Sequence, residues 1–378
     1  MNKKVVLPVV ILVLMVTMLA CQFTGLTTTP QPTLSVAPTP AVTMVPVDLA
    51  SQQDRLVALY QNTGPGVVTI ITSVGLGSGW VYSSDGYIVT NAHVVGTDTQ
   101  VEVDFPNGNK VFGKVVGADH NNTDLAVIKV DVPADQLHPL PLGDSDTLQV
   151  GQTVVAIGNP FGFGETMTTG TITALGRSQL SASQPSTNGY FSTGDVVQTD
   201  ALLNHGNSGG ALLDLNGEVM GITDAIQVDP YTGANSGLGY AISVDLIKRV
   251  VPSLVQTGGY DYPYLGIYTK NDLPLEVINA LGLKSTSGTY IVSVTAGGPA
   301  EKAGLRGGTQ PVNITTQGYT DLLAGGDLII GVDGKTMLTY DDLLRYLASH
   351  KSPGDTIMLT ILRGDQQMDI PLVLGVRP

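Results

Sequence analysis

Between residues 67 and 251 the chain is a succession of short runs of Val, Ile and Thr, each cut by Gly, Asn or Asp. Val67-Val68-Thr69-Ile70-Ile71, Tyr87-Ile88-Val89-Thr90 and Leu125-Ala126-Val127-Ile128-Lys129-Val130 are examples. β-Branched side chains suit a pleated, packed surface, and the breakers supply the turns between strands. This half of the molecule is therefore predicted to be all-β.

Three segments of that body carry chemistry. They are Thr90-Asn91-Ala92-His93-Val94-Val95, Asn122-Thr123-Asp124-Leu125-Ala126-Val127 and Gly206-Asn207-Ser208-Gly209-Gly210. They supply His93, Asp124 and Ser208, a nucleophile, its base and an orienting carboxylate in the chain order of chymotrypsin-type enzymes. A serine hydroxyl is scarcely ionised at neutral pH, so it attacks an amide only if a neighbour removes its proton as the bond forms. Histidine, with an unperturbed pKa of about 6.5, can accept and return that proton. A buried aspartate fixes the imidazole tautomer and stabilises the imidazolium. In a tight glycine-rich turn the N–H groups of Gly206 and Ser208 can converge on a developing oxyanion, and a side chain at 206 would obstruct that turn.

Each assignment has a rival. The serine segment also fits G-x-S-x-G, the nucleophile elbow, which requires Asp and then His downstream. The only downstream histidine is His350, at the end of a predicted helix. Asp119 competes with Asp124, which opens a strand and would be held more rigidly there. His120 and His138 read as structural, and His205 reads either as a solvent-facing loop side chain or as a group whose titration alters the loop beneath the oxyanion site. There is no H-E-x-x-H and no clustered Cys/His set, so no metal or other cofactor is expected.

At this point the residues resemble the HtrA (Deg) family of trypsin-like proteases. Gly77-Ser78-Gly79-Trp80, Gly158-Asn159-Pro160-Phe161-Gly162, the strand 169–177, Gln198-Thr199-Asp200-Ala201 and Gly237-Leu238-Gly239-Tyr240-Ala241-Ile242 all carry the likeness, which extends over residues 57–378. It implies a double six-stranded β-barrel over 48–251, then a small α+β PDZ domain over 262–378. It places Leu203, Ala225 and Ile226 at the primary substrate pocket, a sensor loop at 178–194 and an activation loop at 227–236. It puts the peptide-carboxylate loop of the PDZ domain at Tyr264-Leu265-Gly266-Ile267. It also implies a homotrimer joined through the protease domains. His205 departs from the family pattern, and so does a Gly/Thr-rich insertion at 307–325, read either as a flexible flap or as a modifier of ligand entry.

In basic-specific relatives of this fold a carboxylate stands six residues before the nucleophile; here that residue is Leu202. An apolar pocket would leave a buried Lys or Arg unpaired, at a cost of several kcal/mol. Cleavage after small or medium aliphatic residues is expected.

The amino terminus reads as a targeting signal. Lys3 and Lys4 precede an apolar run over 5–20, suitable for a signal-peptide core and short for a membrane span. Cys21, the only cysteine, follows Met18-Leu19-Ala20, which resembles a lipobox, so lipidation at Cys21 after a 1–21 signal peptide is expected, with an uncleaved signal anchor as the alternative. Residues 22–47 are Thr, Pro, Ser and Gln with almost no charge, a disordered tether. A short helix should follow over 48–61. Net charge is −14 with a sequence pI near 4.5 and no basic cluster, which argues against nucleic-acid binding. No P-loop is present.

The expected function is ATP-independent endoproteolysis of unfolded or misfolded envelope proteins, with the PDZ domain binding peptide C-termini. A regulatory protease that cuts one partner, and a peptide-binding holdase that uses the protease fold as scaffold, are the alternatives.

Overall fold

The structure is a computed structural model that describes residues 49–73, 75–159, 164–180, 192–228, 235–270 and 272–378. The signal and tether, with Cys21, lie outside the described residues, as do most of the 178–194 stretch and the middle of 227–236. Among the described residues no helix is long and apolar enough to cross a membrane.

The chain enters through helix α1 (Leu49–Thr63), which buries Leu59 and leads into β1 (Val67–Ile71). β2 (Leu76–Val81), β3 (Tyr87–Asn91), the single turn α2 (Ala92–Val95), β4 (Gln100–Asp104), β5 (Lys110–Asp119) and β6 (Leu125–Lys129) follow. They close an antiparallel barrel in the order β1-β2-β3-β6-β5-β4. A second barrel closes as β10-β11-β12-β9-β8-β7. Its strands are β7 (Thr153–Gly158), β8 (Thr166–Leu180), β9 (Ser192–Thr199), β10 (Ala211–Leu213), β11 (Val219–Val228) and β12 (Asn235–Ser243).

β1, β3, β6 and β7 are buried along almost their whole length, on both faces. Successive side chains alternate across a strand. Val68, Ile70, Ile88, Ala126 and Ile128 fill the first barrel, while Val67, Val89, Leu125 and Val127 face outward with Trp80. That outer set meets Val155, Ile157, Ala211, Leu213 and Ile222 of the second barrel, and Val244, Leu246, Ile247, Val250, Val251 and Leu254 of helix α3 (Val244–Thr257). The shared layer sets the two barrels side by side with a crevice between them. Helix α3 starts where the Ser243 hydroxyl accepts from the Leu246 N–H at 3.2 Å and runs through residue 251 to Gly258, whose φ of 80° closes it.

The second domain contains a sheet whose strand path is β14 (Ile267–Thr269), β15 (Thr289–Val294), β18 (Leu328–Val332), β20 (Thr356–Arg363) and β21 (Gln366–Val373). β19 (Lys335–Thr336) pairs with β18. Helix α4 (Leu275–Leu281), the turn α5 (Pro299–Lys302) and helix α6 (Tyr340–His350) pack on this framework. α6 begins at Thr339 with a capping box closed by Asp342. Strands β13 (Pro263–Tyr264) and β22 (Gly375–Val376) pair where the chain enters and leaves the domain. The 307–325 insertion is a packed hairpin rather than a flap. Its strands β16 (Gln310–Pro311) and β17 (Leu323–Ala324) pair, and Ile314 and Leu322 are buried with Val277 and Leu281 of α4.

Helix α6 also packs against β8 and β9 of the second barrel. Asp195 of β9, 3% exposed, receives hydrogen bonds from Ser243 and Ser349, and Arg345 Nε lies 3.3 Å from its carboxylate. Arg345 also reaches Asp146 at 2.9 Å. Burial pushes the Asp195 carboxyl up, against the hydroxyls and Arg345. A carboxyl raised in this way contributes to the stability of the folded state at acid pH and loses that contribution as pH rises through its folded pKa. Because Arg345 reaches both Asp195 and Asp146 across the contact, Arg345→Ala should loosen the PDZ domain by about 2 kcal/mol, after allowing for the partial exposure of Arg345, and raise the undocked population roughly thirtyfold. Limited proteolysis checks this: faster release of the PDZ fragment is expected, and equal rates would show that the latch carries no docking energy.

Candidate active site

The three sequence segments meet at the crevice between the barrels. β3 delivers His93 on α2, and the turn between β5 and β6 delivers Asp124. The Asp124 backbone has φ 55°, a left-handed value rare for a non-glycine residue. It is held there because the Asp124 carbonyl accepts from the Ala92 N–H at 2.8 Å and from Asn91 Nδ2 at 3.2 Å. The Asp124 carboxylate then meets His93 twice, accepting from its backbone N–H at 2.9 Å and lying 2.5 Å from Nδ1. Asp119 is occupied elsewhere. Its carboxylate accepts from the N–H groups and side chains of Asn122 and Thr123 and so builds the turn that presents Asp124.

The serine turn belongs to the second barrel but is pinned by the first. Ser78, fully buried, donates from Oγ to the Gly206 carbonyl at 2.6 Å and accepts from the Asn159 N–H at 2.8 Å. Its own N–H donates to the Ser208 carbonyl at 2.8 Å. Gly209, with φ 88°, lets the chain turn so close to β2 that a Cβ there would lie 2.0 Å from the Ser78 carbonyl oxygen. Among the described residues the N–H groups of Gly206 and Ser208 donate to no protein acceptor, while those of Asn207, Gly209 and Gly210 are all used. The turn is followed by strand β10 and not by a helix, and His350 sits on α6 beside Asp146 and Tyr346. The elbow alternative therefore has no partner for its serine.

His93 presents about half of its side chain to solvent, while Nδ1 faces inward to the carboxylates. Burial alone would lower its pKa, but the hydrogen bond and charge of Asp124, with Asp224 adding to them, raise it above the ordinary histidine value. The Ser208 hydroxyl donates to the Asp224 main-chain carbonyl at 2.9 Å. That bond directs the hydroxyl proton to the Asp224 carbonyl and not to the imidazole. Asp224 was not evident from the sequence; the signal available was the one charged residue inside a strand of otherwise uncharged residues. His93, Asp124 and Asp224 bring ligand-type atoms within 4.8 Å of one another. Nδ1 and Asp124 Oδ2 are already committed to each other, so the cluster is read as proton chemistry.

The remaining site residues fall as follows. Leu203 is 3% exposed and packs in the core of the second barrel, whereas Leu202 is exposed. The side chains of Ala225 and Ile226 lie outside the described residues. His205 is exposed. In the second domain the Leu265 and Gly266 carbonyls accept from the Ala300 and Thr295 N–H groups, and Tyr264 Oη lies 2.9 Å from Thr295 Oγ1. These contacts shape the 264–267 turn, from which Ile267 enters β14.

Known proteins share both domains of this chain. Residues 77–222 match the trypsin-like peptidase domain family and residues 263–374 the PDZ domain family. The chain is 36% identical to Protease Do-like 1, chloroplastic, of Arabidopsis thaliana, covering 89% of this chain and 75% of that protein. The chain belongs to the HtrA-type (Do-like) serine proteases. A probable periplasmic serine endoprotease DegP-like of Chlamydia trachomatis is 37% identical over 80% of this chain, which spans about half (54%) of that relative's length. Among solved structures, the HtrA-type protease AlgW with tripeptide superposes with a TM-score of 0.63 at 32% identity, covering 85% of this chain and 97% of that one. This HtrA-type protease thus has one trypsin-like domain and one PDZ domain, and it is a serine endopeptidase by family.

Proposed function

We propose that Ser208, His93 and Asp124 hydrolyse peptide bonds of unfolded or misfolded polypeptides through an acyl-enzyme, without nucleotide. The observation that carries this reading is His93 tied through both its backbone N–H and Nδ1 to one carboxylate, beside a serine turn in which the Gly206 and Ser208 amides are unspent. As the Ser208 hydroxyl swings from the Asp224 carbonyl, His93 Nε2 takes its proton and Oγ attacks the substrate carbonyl. The Gly206 and Ser208 N–H groups receive the oxyanion, and the imidazolium then protonates the leaving amine. Water repeats the sequence on the ester.

The substrate pocket is proposed to be apolar, with Leu203, Ala225 and Ile226 around it, and the 264–267 turn to take peptide C-termini. Export to the envelope, anchoring through Cys21 or the signal segment, and trimer formation are part of the same proposal. They rest on the family resemblance and the amino-terminal sequence, and the periplasmic DegP-like relatives support export. Cutting of one dedicated partner is the second reading, favoured by α6 docking directly on β8 and β9.

A peptide library tests the specificity. Cleavage after Val, Ala or Ile is expected to exceed cleavage after Lys or Arg by about a hundredfold, since an unpaired buried cation costs several kcal/mol. Preferred cleavage after Lys or Arg would reject the apolar pocket.

A further inference from the structure

Asp224 lies where the pairing of β11 with β12 slips: Thr223 opposes Ala241, and Ala225 opposes Tyr240, so Asp224 is the extra residue of a β-bulge. A bulge re-aims a side chain and frees a backbone group from the ladder. Here the freed carbonyl accepts from Ser208, and the carboxyl turns into the site. That side chain is 11% exposed, with Oδ1 3.8 Å from His93 Nδ1, and its carboxyl lies within 4.8 Å of the Asp124 carboxylate. Two carboxyl groups this close, one of them buried, do not both ionise readily and favour a proton between them. Asp124 already accepts twice from His93, so the proton belongs on Asp224.

We propose that Asp224 is a positioning residue of this active site, a carboxylic acid held protonated that donates to Asp124 and thereby fixes the acceptor to which His93 is tied. The proposal rests on the Ser208–His93–Asp124 reading above. The titratable groups that face Asp224 are His93 on α2 and Asp124 in the β5–β6 turn; among the described residues no Lys or Arg acts on it. Burial first, then the charge and hydrogen bond of Asp124, push its carboxyl up to about 8, with His93 opposing. Below that value Asp224 holds the proton and the anchor of the imidazole is intact. Above it the proton leaves to solvent, two carboxylates face each other, and the anchor of the imidazole is disrupted. A bell-shaped profile follows. The acid limb belongs to His93, above its ordinary value, and the alkaline limb near pH 8 to Asp224.

The test is kcat and KM for a peptide substrate between about pH 6 and 10, for the parent, Asp224→Asn and Asp224→Ala, with thermal melts to check folding. Asparagine cannot ionise, but its amide still donates, so Asp224→Asn should lose the alkaline limb and keep a plateau within a few-fold of the parent. Asp224→Ala loses the donor, and its plateau kcat should fall about tenfold with KM little changed. The pH dependence of fluorophosphonate labelling of Ser208 gives a second readout, free of substrate binding, should the alanine variant fold poorly. An alkaline limb that persists in Asp224→Asn, or full kcat in Asp224→Ala, would overturn the proposal. Ser208→Ala separates the two levels. If it retains activity, the underlying mechanism fails; if it is inactive while Asp224→Asn keeps the parental profile, only the role of Asp224 fails.

Discussion

Ser208→Ala is expected to lower kcat for casein by on the order of a millionfold while leaving the protein folded. The size follows from the mechanism, because without the Ser208 hydroxyl there is no oxygen to attack the amide and carry the acyl group. The small structural cost follows from the contacts. Oγ makes one hydrogen bond, to the Asp224 carbonyl, so its loss should cost about 1 kcal/mol. Melting temperature and PDZ docking should be nearly those of the parent. The variant also separates protease from holdase. A protein that used this fold only to bind unfolded chains would show the same behaviour toward casein with or without the hydroxyl.

Gly209→Ala should combine a large loss of stability with loss of activity. At φ 88° any L-residue is strained, and the added Cβ would meet the Ser78 carbonyl oxygen at 2.0 Å and Thr90 Oγ1 at 2.4 Å. Both neighbours are held in strand pairing and cannot simply move aside. Backbone strain and overlap together should cost on the order of 3 kcal/mol or more. For a body of this size that is a fall of roughly 10 °C in melting temperature. Gly354→Ala is the control: it has φ 89° but no atom within 4 Å of its Cβ, so it carries the strain without the collision. Differential scanning calorimetry should separate the two by several degrees. Equal melting temperatures would mean that the approach of the serine turn to β2 is not tight. Because Ser78 also holds the Gly206 and Ser208 carbonyls, moving it should swing the oxyanion-binding amides out of place and reduce kcat.

Much of this was legible in the chain. Strands buried on both faces announce themselves as unbroken apolar runs, and Val67-Val68-Thr69-Ile70 reads that way because one face fills a barrel while the other meets the second barrel. His93, Asp124 and Ser208 were legible because each stands in a short motif whose chemistry restricts its neighbours. The choice of Asp124 over Asp119 has its physical reason in the turn, where Asp119 spends its oxygens on Asn122 and Thr123.

What was hidden depends on contacts between residues far apart in sequence. Asp224 approaches Asp124 only because β11 carries a bulge, and one slipped residue leaves no periodic trace. Arg345 and Ser349 lie on an amphipathic helix like many others; that they meet Asp195 is set by how two domains dock. The 307–325 hairpin was ambiguous because its Gly/Thr-rich composition masks the two apolar anchors, Ile314 and Leu322, that hold it against α4.

The most direct measurement is peptide mapping by mass spectrometry after reaction with a fluorophosphonate that phosphonylates activated serines. The adduct is expected on Ser208 in the parent, in step with loss of casein hydrolysis, and should be suppressed in His93→Ala. Complete inactivation with Ser208 unmodified, or equally rapid labelling of Ser208 without the imidazole, would contradict the account.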